Sequence, residues 1–274
     1  MKSKKYQSGL SLVELMVALA ISSFLILGVT QIYIDNKRSY TFQQNQAENQ
    51  EGSRFTLLLL QQELAKAGYR RRPDTATDVA FPTVSASGCD FSAGAGVAYN
   101  SASSICIRYQ PRDKQDRDCL GNLPANLTDI ANPYTTAKEF FIERLYLNGN
   151  DLMCTSTHVD ETGAVKLASA TATLLSNVAD LRFELGIGSN TEPRAVLSYT
   201  KASTTAPILS IRYTALMRSS NPNLRDSVDA SSALANWKAL TGATDSEVNT
   251  LKTADKGQLY QVSQGTVMLR NLMP

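Results

Sequence analysis

The residue with the strongest claim to chemistry is Glu14. It stands fifth in the run Leu10-Ser11-Leu12-Val13-Glu14, directly behind Gly9 and a basic leader that holds Lys2, Lys4 and Lys5. A carboxylate at the centre of a membrane span costs about 2.5–3.5 kcal/mol, so an acid in such a run is a functional candidate. A bland alternative is an interfacial acid at the positive end of a helix. The other reactive groups are few. There are four cysteines, Cys89, Cys106, Cys119 and Cys154, and one histidine, His158. No GxSxG, HExxH or P-loop pattern is present. His158 lies in Thr155-Ser156-Thr157-His158-Val159-Asp160 with no nucleophile motif around it, and reads as a surface histidine beside a hairpin.

Glu14 must be positioned by a helix. Leu10 to Val29 is apolar almost throughout. That is close to the roughly 20 residues needed to cross the hydrocarbon core. A cleaved secretory signal has a shorter apolar region and a small-residue site beyond it; Ile26-Leu27-Gly28-Val29-Thr30-Gln31 is a poor site of that kind. The leading lysines place the N-terminus in the cytoplasm and the rest outside. Gln31 to Lys66 continues as helix, rich in Gln, Glu, Lys, Arg, Ala and Leu. Phe55, Leu58 and Leu59, with Leu57, Leu60 and Leu64, form a broad apolar face expected to be buried. Gly68 is a suitable C-cap and Pro73 lies beyond it. The whole helix would be about 85 Å long. Gly28 and Gly52 are its weak points, and no sustained heptad supports a coiled coil.

The exported cysteines are even in number, which favours two disulfides with three connectivities open. The pairs Cys89–Cys106 and Cys119–Cys154 are preferred because each closes a modest loop, although spacing does not decide pairing. Each bond should contribute about 2–4 kcal/mol. With no CxxC and one histidine, no metal site is expected. Net charge is +2 with both signs mixed, so no nucleic-acid surface is expected. Arg70-Arg71-Arg72 and Asp113-Lys114-Gln115-Asp116-Arg117-Asp118 read as solvated loops. In the second, the acids lack the spacing of a calcium loop.

Strands follow the helix. Ser85 to Ser104 is rich in small residues and reads as irregular loop, leading to a strand at Ile105–Tyr109. Phe140–Leu147 and Asp151–Cys154 flank Asn148-Gly149-Asn150, a strong hairpin signal. Leu174–Leu185 and Ile208–Met217 read as strands, the latter with one wet face. A polar insertion, 221–256, should carry short helices near Ala230–Leu240 and Asp245–Thr253. Gly265–Arg270 closes the sheet.

Gly9, the apolar run and Glu14 at its fifth position resemble the class III leader of type IV pilins and pseudopilins. The resemblance implies that a prepilin peptidase cuts between Gly9 and Leu10 and that Leu10 becomes N-methylated. Leu10 departs from the usual Phe or Met. It also implies that Glu14 sets the axial register by meeting a neighbour's N-terminal amine. Gln61–Tyr69, Asp118-Cys119-Leu120-Gly121, Asn177–Glu184 and Leu269-Arg270-Asn271 resemble PilW-like minor pilins. That layout makes Cys119–Cys154 more attractive.

The expected architecture is α+β, a type IV pilin-like fold with a long N-terminal helix packed on a disulfide-stabilised antiparallel sheet. Expected segments are a leader (1–9), a transmembrane helix (10–32), its exported half (33–68) and a head (69–274). The resemblance implies no catalysis and no cofactor. It implies an inner-membrane precursor that enters a pilus tip. Its partners would be other minor pilins, the major pilin, a tip adhesin, the prepilin peptidase and the inner-membrane assembly platform. The rivals are a J-like pseudopilin of type II secretion, a membrane-anchored periplasmic enzyme and a solitary adhesin.

Overall fold

The computed structural model describes residues 9, 11–128, 130–132, 134–135, 138–189, 195–225 and 231–273, with backbone alone at 231–233. Leu10 and the leader residues Lys2, Lys4 and Lys5 lie outside the described residues. The chain begins with α1, Leu12–Leu64, and the short α2, Thr77–Ala80. Then come β1 (Val84–Ala86), β2 (Cys89–Phe91), β3 (Val97–Ser101), β4 (Ser104–Tyr109), β5 (Glu139–Asn148), β6 (Asp151–Asp160) and β7 (Val165–Leu175). After them come β8 (Val178–Gly188), β9 (Val196–Thr200), β10 (Ile208–Arg218), α3 (Ser231–Thr241), α4 (Asp245–Ala254) and β11 (Tyr260–Met268). The strands form a five-stranded sheet β3-β4-β5-β6-β7, a four-stranded sheet β11-β10-β8-β9 and the hairpin β1-β2. Their pairings are antiparallel.

The 53 residues of α1 run through Gly28 and Gly52 without a break. A Cβ at position 52 would lie 2.9 Å from the terminal methyl of Met217, a flexible side chain able to shift aside. The first half of α1 is bare, with Leu12, Phe24 and Ile26 exposed. The second half buries Asn45, Asn49, Ser53, Thr56, Leu60, Glu63 and Leu64, one face at spacings of three and four. This corrects the expected apolar face. Leu60 and Leu64 are buried, but Phe55 is 47% exposed and Leu58 is 56% exposed. Two of the polar residues, Asn45 and Asn49, are met by backbone groups in the segments after β10 and before β11. Asn49 Nδ2 donates to the Leu259 carbonyl at 3.0 Å, and Asn45 Oδ1 accepts from the Asn221 N–H at 3.3 Å.

At its end α1 tightens, with Lys66 N–H donating to the Glu63 carbonyl. Gly68 then takes φ +72°, the left-handed conformation that stops a helix. Asn271 Nδ2 donates to the carbonyls of Ala65 and Ala67, so the chain's final turn caps the helix.

Leu60 and Leu64 enter a core shared by both sheets, with Ile107, Phe141 and Leu145 from one and Phe183, Ile211 and Tyr213 from the other. A second cluster lies between α2, the β1-β2 hairpin and the opposite face of the five-stranded sheet. Cys89 and Cys106 are bonded there, joining β2 to β4. Cys119 and Cys154 are bonded in the main core, joining the loop after β4 to β6. A third cluster packs Leu234, Trp237 and Val248 of α3 and α4 against Leu216. The polar insertion is therefore a cover for the four-stranded sheet. A capping box between Thr244 and Glu247 starts α4.

Three expectations about strands are corrected. The single strand over Leu174–Leu185 is two, because Asn177 takes φ +66° between β7 and β8. The stretch from Ser85 to Ser104 holds β1, β2 and β3. β10 has no wet face, since α1 covers Ile211, Tyr213 and Met217 while α3 and α4 cover Leu216.

Candidate functional site

Two places set charged side chains among apolar ones. The first is the start of α1. Ser11 is extended at the N-cap, and Glu14 lies in the first turn. Between Leu12 and Ile34, Glu14 is the one charged side chain. The hydroxyls of Ser22, Ser23 and Thr30 each donate to a carbonyl four residues back, at 2.7–2.8 Å. They therefore ask nothing of the surroundings, whereas the Glu14 carboxylate does. α1 is the one described helix long and apolar enough to span a membrane. Gly9 is described and exposed just before it.

The second place is inside the head, and it corrects the reading of His158 as a surface residue. His158 has no exposed surface and its ring stacks on Phe141 with centroids 3.9 Å apart. Nδ1 meets Glu139 Oε1 at 2.8 Å and Nε2 meets Asp118 Oδ2 at 3.2 Å. Burial opposes charging the ring, but the bonds to Asp118 and Glu139 outweigh it and hold the His158 pKa above its ordinary value. Burial likewise opposes both carboxylates. Hydrogen bonds from His158, Ser156 and Asn122 nevertheless hold Asp118 well below the usual range. His158 with the N–H groups of Ala125 and Asn126 does the same for Glu139. The arrangement is an imidazolium between two carboxylates. It ties the loop around Asp118 to β5 and β6, and both ring nitrogens are occupied. Ser156 Oγ donates to Asp118 at 2.6 Å instead of to the imidazole, so no Ser–His pair forms.

The basic and acidic loops are also corrected. Arg71 is buried and donates to the carbonyls of Pro111, Arg112, Asn132 and Thr135. Its neighbour Arg72 pairs with Asp74 at 2.5 Å. Asp116 and Asp118 are buried as well, and Asp118 accepts the N–H groups of Leu120 and Asn122. These side chains serve as substitutes for backbone partners in a long irregular segment. Arg108 plays the same part inside β4. It is fully buried, held between the rings of Phe81 and Phe91, and donates to the Phe81 and Ser92 carbonyls. A lone cation in an apolar strand, Ile105-Cys106-Ile107-Arg108-Tyr109, was the available signal.

Cys119, Glu143 and Cys154 converge closely enough to suggest a metal site. Both sulfurs are consumed by their disulfide, which leaves no thiolate. Glu143 accepts from the Tyr109 hydroxyl at 2.6 Å and the Cys119 N–H at 2.9 Å. Burial, reinforced by Glu63, pushes its carboxyl up to about 8. Its unfolded pKa is near 4.3. Between these values the folded chain holds a proton that the unfolded chain lacks, so this group lowers stability as pH rises. Glu143→Gln keeps an acceptor for both donors and should flatten that fall. Urea unfolding of micelle-solubilised protein from about pH 4.3 to about pH 8 checks this; an unchanged slope contradicts it.

A cleft of about 590 Å³ lies between β3 and the 203–208 segment and is lined mainly by small residues. It is separate from the His158 cluster.

Residues 4–30 match the prokaryotic N-terminal methylation motif. Residues 139–271 match the family described as Type IV Pilus-assembly protein W. The chain is a PilW-like type IV pilin. The second match begins at the first residue of β5 and ends at Asn271, the residue that caps α1. It therefore contains Glu139, His158 and the four-stranded sheet. The methylation motif and the apolar helix fit an inner-membrane-anchored pilin. Among solved structures, a type IV-like pilin from Thermus thermophilus is similar at 12% identity and a TM-score of 0.41, covering 81% of this chain and 97% of that one. No curated protein matches the sequence.

Proposed function

We propose that this PilW-like pilin is a minor pilin of a tip complex that primes type IV pilus assembly. In this reading the precursor waits in the inner membrane with its N-terminus in the cytoplasm. The prepilin peptidase cuts between Gly9 and Leu10 and methylates Leu10. Glu14 then meets the N-terminal amine of a neighbouring subunit, whose pKa near 8 keeps it charged at neutral pH. The carboxylate and the ammonium neutralise each other in lipid and fix the axial register.

The observation that carries the reading is the joining of two features in one chain. A bare apolar helix with one acid in its first turn leads into a head that matches the pilus-assembly family. The head is large, and its bulk suits a filament end better than a repeating shaft. The partners are other minor pilins, the major pilin, a tip adhesin and the inner-membrane assembly platform. Twitching motility, adhesion or DNA uptake would follow from having pili.

The test is a pilus count by electron microscopy in a deletion strain whose retraction is also disabled, beside an assay of exoprotein secretion. Scarce pili with normal secretion is the expected result. Normal pili with exoproteins trapped in the periplasm would move the chain to type II secretion. Both normal would end the priming role.

A further inference from the structure

Sheet edges are exposed rows of unpaired N–H and C=O groups, and proteins blunt them with charge, proline, brevity or a covering element. Among the described edges β7 is the longest and the most open, although register shifts interrupt it towards both ends. β3 and β9 are five residues each. β11 is packed by α1 and α3. β7 has 11 residues and is exposed on both faces along most of its length. Its sequence is Val165-Lys166-Leu167-Ala168-Ser169-Ala170-Thr171-Ala172-Thr173-Leu174-Leu175, without proline. Its lone charge, Lys166, is already paired with Asp160 at 2.9 Å. Its ladder is to β6 alone, with register shifts that leave Ala170–Thr173 as the regular stretch; Leu174 and Leu175 pack against the main core at one end, and Ser87 Oγ meets Ser169 Oγ at 3.0 Å.

We propose that β7 is a docking edge that takes an extended strand from the head of a neighbouring pilin in the same filament. The chemistry of the edge selects that occupant. A free ladder is complemented by another extended backbone, and main-chain bonds supply the attraction. The Ala and Thr side chains on either face leave room for a partner's larger ones and impose no charge on it. Proximity comes from α1. Subunits whose helices pack side by side, offset by the four residues between Leu10 and Glu14 or about 6 Å, hold their heads close to one another, so another pilin head is the strand donor in reach. The inference rests on the minor-pilin reading above.

Thr171→Pro and Ala172→Pro test it in the full chain. Neighbouring residues of a strand point their N–H groups in opposite directions. One proline therefore removes a bond to β6 and the other removes a donor from the free edge. The readouts are the melting temperature in detergent micelles and the amount of the chain in sheared filaments. The expected result is one variant that melts like wild type yet enters filaments at least about tenfold less. A well-folded variant of each kind incorporated within about twofold of wild type overturns the proposal. Should both prolines unfold the head, the Ala170→Lys, Ala172→Lys double variant decides on the same readout, since it leaves the backbone intact. A photo-crosslinker at Thr171 should join the chain to a different pilin. Adducts only between two copies of this chain would overturn the proposal in favour of self-pairing. If wild type itself is missing from filaments, the minor-pilin reading fails and takes the inference with it. If wild type and edge variants are present equally, only the inference fails.

Discussion

Glu14→Val is expected to abolish incorporation while leaving processing intact. In the proposed reading the peptidase recognises Gly9 and the leader, which valine at position 14 does not touch. Insertion should improve, since the substitution removes a carboxylate costing about 2.5–3.5 kcal/mol in a span. The loss appears on assembly. If Glu14 is the counter-charge of a neighbour's N-terminal ammonium, as proposed, its loss leaves that ion unpaired, and a buried ion stripped of its partner costs about 3–5 kcal/mol. At about 1.4 kcal/mol per tenfold, incorporation should fall at least about a hundredfold. The measurement is an immunoblot of membrane and sheared-filament fractions, with the mature N-terminus sequenced from the membrane pool. Glu14→Asp, one methylene shorter, should recover part of the signal. Full incorporation of the valine variant would show that register is set elsewhere.

What could be read from the sequence was whatever is local. The apolar run from Leu12 to Val29 and the helix beyond it follow from composition and the lack of proline. Asn148-Gly149-Asn150 marked the β5-β6 hairpin, where Gly149 takes φ +61°. The helices of the polar insertion were also found. What could not be read depends on pairing across the chain. Asp118, Glu139 and His158 are brought together when β6 lies beside β5, with Phe141 opposite His158, and when the Asp118 loop folds back on them. Nothing around His158 in sequence announces two carboxylates. β7 escaped notice because Ala-Ser-Ala-Thr-Ala-Thr lacks the apolar alternation of a half-buried strand, and its exposed position is the reason. Asn45 and Asn49 escaped for the opposite reason. They are polar and buried because β11 and its flanks present backbone groups to α1. Phe55 and Leu58 looked like core by spacing, yet a helix seated on a sheet buries only a narrow stripe.

His158→Leu is expected to destabilise the head by about 3–5 kcal/mol, because it strands two buried carboxylates. Leucine roughly fills the ring's place against Phe141, so the loss is mainly electrostatic. The sign of the pH dependence follows from the directions of the shifts. His158 is raised in the folded state, so its contribution is complete below the unfolded value near 6.5 and fades as pH rises through the folded pKa. Asp118 and Glu139 are depressed, so their contributions are complete above about 3.9 and 4.3 and fade as pH falls. The network therefore stabilises most between about pH 4.3 and pH 6.5. The gap between wild type and His158→Leu should be widest there. It should narrow at higher pH, where the imidazole loses its charge, and at lower pH, where protonation relieves the stranded acids. Glu143 titrates in the same range, but it is present in both proteins and cancels in the difference. Urea unfolding of the two proteins in micelles across about pH 3–9 gives the gap directly. A gap that does not change with pH would mean that His158 stabilises by packing on Phe141 alone. A gap that keeps growing above pH 6.5 would mean that the neutral ring is the stabilising form.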